Sequence, residues 1–483
     1  MRSLLCLLLS GMSIHAAAPS LDCLYPIAVA RGSTNAITAV GKFDPWPPKI
    51  WTTAVGVSFV AETNKGKFRI DVAPDAKPGP YFVRAYNDDG ASAPRFLLIT
   101  DTAELAEQEP NNDFETAQPL RKFPAVVNAR FDKNDDVDTY HLQLAKGQTM
   151  VAGVEAYVLA SPVDAVLRLL DDRGVEVAFN HDNGRTLDPE IRYTAPKPGS
   201  YFLQAFGFNY PADSNIRFVG NDKCVYRLHV QGACDEQPLA TCTKEIEPNN
   251  AFSNAMPVEV PCAIVGCINS PDDEDMFQFE AKKAEKLAFK VESAALGFPV
   301  DPRLEIRNSK QEEVAKADDS ATVDPALDWA PDNDGTFFAC VRNVLHRGGS
   351  NYLYRFTIQK PEPALKATVG DHAFRIEPGK TNKISVTLKK LYGFDGKTSF
   401  VVEGLPSDLQ YEAVEAAVSL IAAPDAKAFS GPFHITAKDS KTSWPVIHEL
   451  ISAGEDNGVP NGYSRLLISA TEHFWLTVVS TNR

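Results

Sequence analysis

Residues 107–119 read EQEPNNDFETAQP, and residues 245–257 read EIEPNNAFSNAMP. Aligned without a gap, the two stretches share Glu107/Glu245, Glu109/Glu247, Pro110/Pro248, Asn111/Asn249, Asn112/Asn250, Phe114/Phe252, Ala117/Ala255 and Pro119/Pro257. Self-similarity on this scale marks a duplicated structural unit. The parallel runs on through Asp136-Val-Asp138-Thr-Tyr140 against Asp273-Glu-Asp275-Met-Phe277, then Leu167-Arg-Leu-Leu against Leu304-Glu-Ile-Arg. Asp188-Pro189 against Asp324-Pro325 and Tyr226-Arg-Leu228 against Tyr354-Arg-Phe356 complete it.

Within each copy, His141-Leu-Gln-Leu, Phe277-Gln-Phe-Glu and Tyr354-Arg-Phe-Thr-Ile alternate apolar and polar residues. That period of two predicts strands with one buried face, and Gly, Pro, Asn and Asp clusters between them predict turns. Each copy therefore reads as an antiparallel β-sandwich. The flanks have the same character. Lys67-Phe-Arg-Ile-Asp-Val and Pro80-Tyr-Phe-Val-Arg-Ala alternate before the pair; Lys383-Ile-Ser-Val-Thr-Leu and Phe433-His-Ile-Thr-Ala alternate after it, with Arg465-Leu-Leu-Ile-Ser as a further strand. Leu409 to Ala423 has the composition of a helix, yet Val414, Ala416, Val418 and Leu420 also satisfy period two, and a strand is predicted there. The fold class expected is all-β, with four tandem sandwich domains. They span residues 19–101 (Ig-like), 102–234, 235–360 and 361–483 (Ig-like), behind a signal peptide at 1–18.

The signal reading rests on Arg2, the apolar run Leu4 to Leu9 and Ala16-Ala-Ala18 before Pro19. No later stretch reaches about 18 uninterrupted apolar residues, so no transmembrane segment is predicted. The chain is expected to be secreted or periplasmic. The 483 residues carry 48 Lys+Arg against 63 Asp+Glu, a formal charge of −15. That sign is wrong for neutralising phosphates, so nucleic acid is not an expected partner. Losing Cys6 with the signal leaves Cys23, Cys224, Cys234, Cys242, Cys262, Cys267 and Cys340. In an exported chain the 224–267 cluster is expected to form disulfides with at least one thiol left over; zinc is disfavoured because no C-x-x-C with matching histidines occurs.

Glu, Asn and Asp present only oxygen, the donor set that Ca²⁺ takes six to eight at a time. Alternate residues of an extended segment project to one side, so Glu107, Glu109 and Asn111 can line one face while Asp136 and Asp138 approach from a neighbouring strand. The competing reading is a Pro-Asn-Asn turn with solvated carboxylates.

The E-x-E-P-N-N-x-x-x-x-A start, the D-x-D-x-[YF] step, the D-x-x-G turn (Asp171 to Gly174) and the closing Tyr-Arg strand resemble the bacterial pre-peptidase C-terminal domain. That family is related to the collagen-binding domain of clostridial collagenases. The resemblance covers about 107–232 and 243–360. It implies jelly-roll-like sandwiches in secreted proteins that often accompany a peptidase, with calcium held at the N-terminal linker in some members, one or more ions per module. Carried over, the first module would use Glu107, Glu109, Asn111, Asn112, Asp136 and the main-chain carbonyl of Tyr140. The second would use Glu245, Glu247, Asn249, Asn250 and Asp273. The flanking domains resemble Ig-like segments that accompany this module in planctomycete-type bacteria, on Leu391-Tyr-Gly-Phe-Asp-Gly followed by Glu403-Gly-Leu-Pro406.

No peptidase machinery is legible. His448-Glu449-Leu-Ile lacks the second histidine of H-E-x-x-H, and no G-x-S-x-G occurs. His181-Asp182-Asn-Gly184 reads as a turn, and Trp46 and Trp51 are the best candidates for a carbohydrate platform. The function expected is non-catalytic binding of an extracellular protein or polysaccharide by calcium-stiffened modules. The alternative is an accessory or targeting subunit of a separately encoded secreted peptidase or hydrolase.

Overall fold

The computed structural model describes residues 17–183, 186–214, 216–232, 242–296, 298–318, 323–349, 352–450 and 466–479. Most of the segment expected to be a signal peptide, with Cys6, and also Cys234 and Arg465, lie outside the described residues. Regular structure among the described residues is β throughout, apart from single 3₁₀ turns such as Tyr157–Leu159 and Ala294–Leu296. No helix among them is long and apolar enough to cross a membrane.

The duplication seen in sequence is exact in topology. In the first module one five-stranded sheet runs Leu105–Ala106, Ala125–Arg130, Val225–Gly232, Thr149–Glu155, Glu190–Thr194. The facing sheet runs Gln118–Pro119, Asp138–Leu144, Gly199–Asn209, Val163–Asp171, Glu176–Asn180. The second module repeats this with Thr243–Lys244, Cys262–Cys267, Leu353–Gln359, Leu287–Glu292, Ala326–Trp329 over Met256–Pro257, Glu274–Ala281, Gly335–Asn343, Pro302–Asn308, Glu313–Ala317. The sandwiches are not purely antiparallel: the two short edge strands that precede and follow the E-P-N-N segment pair in parallel, as in Leu105↔Val127 and Gln118↔Tyr140. An E-P-N-N crossing joins those two edges, so it passes from one sheet to the other across the end of the sandwich.

The inward faces form one core per module. Leu142, Leu167, Leu203, Tyr226 and Leu228 are fully buried in the first; Phe277, Leu304, Ala339, Tyr354 and Phe356 are fully buried in the second. Each of these Leu and Phe side chains contributes about 1.5–3 kcal/mol. The Asp-Pro repeat has a structural use. Asp188 accepts the amides of Ala156, Tyr157 and Val158, satisfying the start of the 3₁₀ turn, and Asp324 does the same for Ser293 and Ala294. The Pro189 and Pro325 carbonyls accept the amides of Val154 and Val291.

The first domain packs a four-stranded sheet against a five-stranded one, and the last domain folds around a single ten-stranded sheet. Within the latter, Leu409 to Ala423 is a hairpin, Leu409–Val414 against Ala417–Ala422, turning at Glu415 with φ 54°. The propensity for helix is overridden because Val418, Leu420 and Ala422 fill the core on alternate positions. Leu466 to Ser469 is not the strand expected; it is a bend whose Leu467 amide donates to the Val158 carbonyl of the first module at 2.7 Å.

Two further expectations are not met among the described residues. No disulfide forms there: Cys23, Cys224, Cys242, Cys262, Cys267 and Cys340 are free thiols, Cys234 lying outside those residues. Cys262 and Cys267 stand five positions apart on one strand, pointing to opposite faces about 17 Å apart, beyond the about 7 Å a disulfide can span. Burial pushes the Cys23 and Cys340 thiols up to about 12. Alkylation in denaturant without reductant is expected to label Cys262, Cys267 and Cys340 fully; a disulfide-linked peptide containing any of them would refute this arrangement. Neither candidate tryptophan forms a platform. Trp46 packs edge-on against Phe68 in the first domain's core, and Trp51 meets Trp475 of the last domain. The four domains do not form an extended string, because the last one folds back onto the first two.

Candidate cation sites

The E-P-N-N segment is held to the D-x-D strand by main-chain bonds before any side chain is considered. The Thr139 amide donates to the Asn111 carbonyl at 2.9 Å, and the Met276 amide to that of Asn249 at 3.0 Å. The preceding Glu-Pro bond is cis in both copies. Asp135 and Asp272, each just before the D-x-D step, both adopt φ 65°. This left-handed turn suits an Asp better than a branched residue. It delivers Asp136 and Asp138, or Asp273 and Asp275, beside the crossing segment.

Glu107, Glu109 and Asp138 bring a carboxylate oxygen each to within 4.8 Å of one another, and Glu245, Glu247 and Asp275 do the same. Glu107 also accepts the Arg130 amide at 2.9 Å, and Glu245 accepts the Cys267 amide at 2.6 Å. Glu109 and Glu247 turn back to accept the amides of Asn111 and Asn249 at 3.1 and 2.8 Å. Asn111 and Asn249 are fully buried, and Asn111 Nδ2 is directed to Glu107 at 3.3 Å. All four Glu and both of these Asn therefore meet as expected.

Asp136 and Asp273 are placed one layer out. Asp136 accepts from Asn112 Nδ2 at 2.9 Å and from the Asp132 amide at 2.6 Å; Asp273 accepts from Asn250 and from the Asn269 amide. These four residues brace the loop beside the oxygen cluster. The innermost acids are Asp138 and Asp275, each fully buried. Their Oδ2 atoms accept from Tyr226 at 2.5 Å and Tyr354 at 2.6 Å, the tyrosines of the closing strand. Tyr140 takes part through its hydroxyl, 2.8 Å from that of Tyr226, while its backbone pairs with Gln118 on one side and Leu203 on the other. Phe277 occupies the same place in the second module, where no hydroxyl is needed because Tyr354 alone holds Asp275.

A further pair of residues escaped the sequence reading. An alanine Cβ at Gly220 would lie 2.0 Å from the Lys133 carbonyl oxygen, and one at Gly348 would lie 2.3 Å from that of Ser270. Both glycines press against the loop that carries the outer aspartate. Their signal in sequence was only that each stands six residues before the closing tyrosine.

Electrostatically these clusters are unfinished. Burial, then Glu109, pushes Glu107 up to about 7, and burial, then Glu247, does the same to Glu245. Burial followed by Glu107 raises Asp138 well above the usual carboxylate range, and burial followed by Glu245 lifts Asp275 to about 9. Asn111 Oδ1 and Asp138 Oδ1 are buried with no hydrogen-bond donor. The Asn249 amide turns one atom toward Glu247 and Asp275, at 3.0 and 3.2 Å. That atom is the amide nitrogen, which donates to both carboxylates. Three converging carboxylates per module, joined in the first by two oxygens without donors, fit a hard divalent cation in both chemistry and spacing.

A third group, Asp164, His181 and Asp182, also lies within 4.8 Å. His181 Nε2 is 3.2 Å from Asp164, whose hydrogen bond raises the imidazole's affinity for its proton. The histidine read as part of a turn is thus an ion-pair partner of an aspartate on strand Val163–Asp171.

No family model matches the chain. Over 254 residues it is 22% identical to "Collagenase ColA" of Clostridium perfringens, an alignment spanning 52% of this chain and 21% of that protein. The chain thus corresponds to about a fifth of the length of this relative. Among solved structures it is similar to the pre-peptidase C-terminal domain of a Bacillus anthracis collagenase, with 14% identity over 23% of this chain and all of that one, at a TM-score of 0.19. It is similar also to immunoglobulin domains 1–4 of Sidekick-1, with 9% identity over 94% of this chain and 96% of that one, at a TM-score of 0.23. Scores this low leave the architecture to rest on the strand pairing described above.

Proposed function

We propose that each module binds Ca²⁺ through Glu107, Glu109, Asn111 and Asp138, or Glu245, Glu247, Asn249 and Asp275, and that the chain is a secreted or periplasmic, non-catalytic binding protein. The observation that carries the metal is the convergence of three carboxylates in each module, with Asn111 Oδ1 and Asp138 Oδ1 of the first buried without a donor. Each ion would tie the incoming linker to the D-x-D strand, stiffening the joint ahead of its own sandwich. Asn112, Asn250, Asp136 and Asp273 would orient the loop, and Tyr140 would act behind Tyr226. The extracellular protein or polysaccharide that the sandwiches would present themselves to is supported by the resemblance to collagen-binding modules. The similarity to a collagenase equally favours an accessory or targeting subunit of a separately encoded secreted peptidase; co-purification with a protease activity would select that reading.

Calorimetric titration of the full chain with Ca²⁺, beside thermal melts in Ca²⁺ and in chelator, tests the metal. Saturable binding of about two ions is expected. At a hundredfold excess over Kd the folded state gains about 2.7 kcal/mol per independent site. Glu109→Ala with Glu247→Ala should abolish both heat and shift. No heat from the parent chain would reduce the E-P-N-N segments to structural turns.

A further inference from the structure

The last domain meets the first along a seam built on Arg84 and Trp475. Trp475, fully buried on strand Phe474–Val478, is flanked by Trp51 at 5.8 Å, Tyr86 at 4.9 Å and the Arg84 guanidinium at 5.9 Å. Arg84, on strand Gly79–Asn87 of the first domain, has no exposed surface. Its Nη1 donates to the Ser92 carbonyl at 2.9 Å and lies 3.1 Å from His372 Nδ1; its Nη2 donates to the His473 carbonyl at 3.4 Å, and its Nε has no partner. The His473 ring in turn puts Nδ1 3.2 Å from His434 Nε2, and the His448 ring lies 5.3 Å from that of His372. Four of the chain's nine histidines therefore gather around one buried arginine.

We propose that this seam is an acid-released latch, in which protonation of His372 and His473 undocks the last domain from the first. A guanidinium can only donate, so His372 Nδ1 must accept, and the ring is neutral with its proton on Nε2. Adding a proton at Nδ1 removes that bond and sets a second cation 3.1 Å from the fully buried Arg84. Between His434 and His473 one proton serves the facing nitrogens, and a second finds no acceptor there.

Exposed carboxylates border the seam: Glu403 stands opposite His434 in the sheet register, and Glu472 immediately precedes His473. Asp371, an exposed residue whose carboxylate caps the His372 and Ala373 amides, is the acid acting on Arg84 and His372. Glu449, one residue beyond His448, is engaged by Lys366, and Lys49 and Asp88 pair at the outer rim beside Tyr86. Burial, with Arg84 next, lowers His372 to about 4; burial, then His434 and Arg84, lowers His473 to about 4. Released histidines regain an ordinary value of about 6.5. The released form therefore binds more protons between those two values, and docking weakens as pH falls through that window. Each histidine shifts the equilibrium by up to about tenfold per pH unit.

The test follows tryptophan emission and small-angle scattering of the full chain from pH 7.5 to 4.5, with far-UV circular dichroism alongside, in Ca²⁺ and again in chelator. Red-shifted emission and a larger radius of gyration below pH 6, with circular dichroism unchanged and both media alike, are expected. In H372N/H473N, where Asn Oδ1 replaces each Nδ1 as a group that does not titrate, the transition should move down by at least one pH unit. H372N alone should make it shallower, which keeps the test open if the double variant folds poorly. A flat profile in the parent chain, or the same transition in these variants, would overturn the latch.

Discussion

Arg227→Ala should destabilise the first module by about 3–5 kcal/mol, the cost of stranding buried charges without their partner. Arg227 sits on the closing strand next to Tyr226 with a side chain 8% exposed, and it pairs with Glu104 of the linker and, at 2.5 Å, with Glu155. The Glu104 side chain is 7% exposed and also accepts from Asn128 Nδ2 at 2.6 Å. Asn128 in turn accepts the Ala28 amide of the first domain at 3.1 Å. Alanine would thus leave two acids short of a cation and unseat the strand Leu105–Ala106 that leads into the cation cluster. Urea unfolding with hydrogen exchange over Ala125–Arg130 and Val225–Gly232 reads the loss. The equivalent Arg355 is 30% exposed and pairs with Glu292 at 2.7 Å, so Arg355→Ala should cost clearly less. Equal, small effects at both positions would show that these pairs are dispensable.

Gly220→Ala and Gly348→Ala are expected to weaken cation binding at their own module by about 10–100-fold, the usual range when groups that orient ligands are displaced. A methyl group 2.0 Å from the Lys133 carbonyl, or 2.3 Å from that of Ser270, touches backbone, which cannot rotate away. The loop must shift, and Asp136 or Asp273 shifts with it, loosening the brace to Asn112 or Asn250. Calorimetry on each single variant should show one site weakened and the other intact. A parent-like titration from both variants would mean that the outer loop has no hold on the cluster.

Much of this architecture was legible in one chain because the duplication acts as an internal control. Asp188 and Tyr226 would each be unremarkable alone; recurring as Asp324 and Tyr354, they mark the cap of a 3₁₀ turn and the support of a buried carboxylate. Alternation identified strands such as Asp138–Leu144 and Leu353–Gln359 because only one face of each meets a core.

The sequence by itself determined the all-β class, the two repeated modules and the oxygen-only chemistry at Glu107, Glu109, Asn111 and their counterparts, since these follow from periodicity and residue type along a local stretch. Tertiary structure alone decided which aspartate of each D-x-D lies innermost. Asp136 and Asp138 are equivalent in spacing, and the choice is made by Tyr226, 88 residues from Asp138. It decided equally that Trp51 meets Trp475 and that Arg84 meets His372 and His473, 288 and 389 positions away. These last contacts depend on how finished sandwiches pack against one another, and local patterning carries no record of which outward faces will meet.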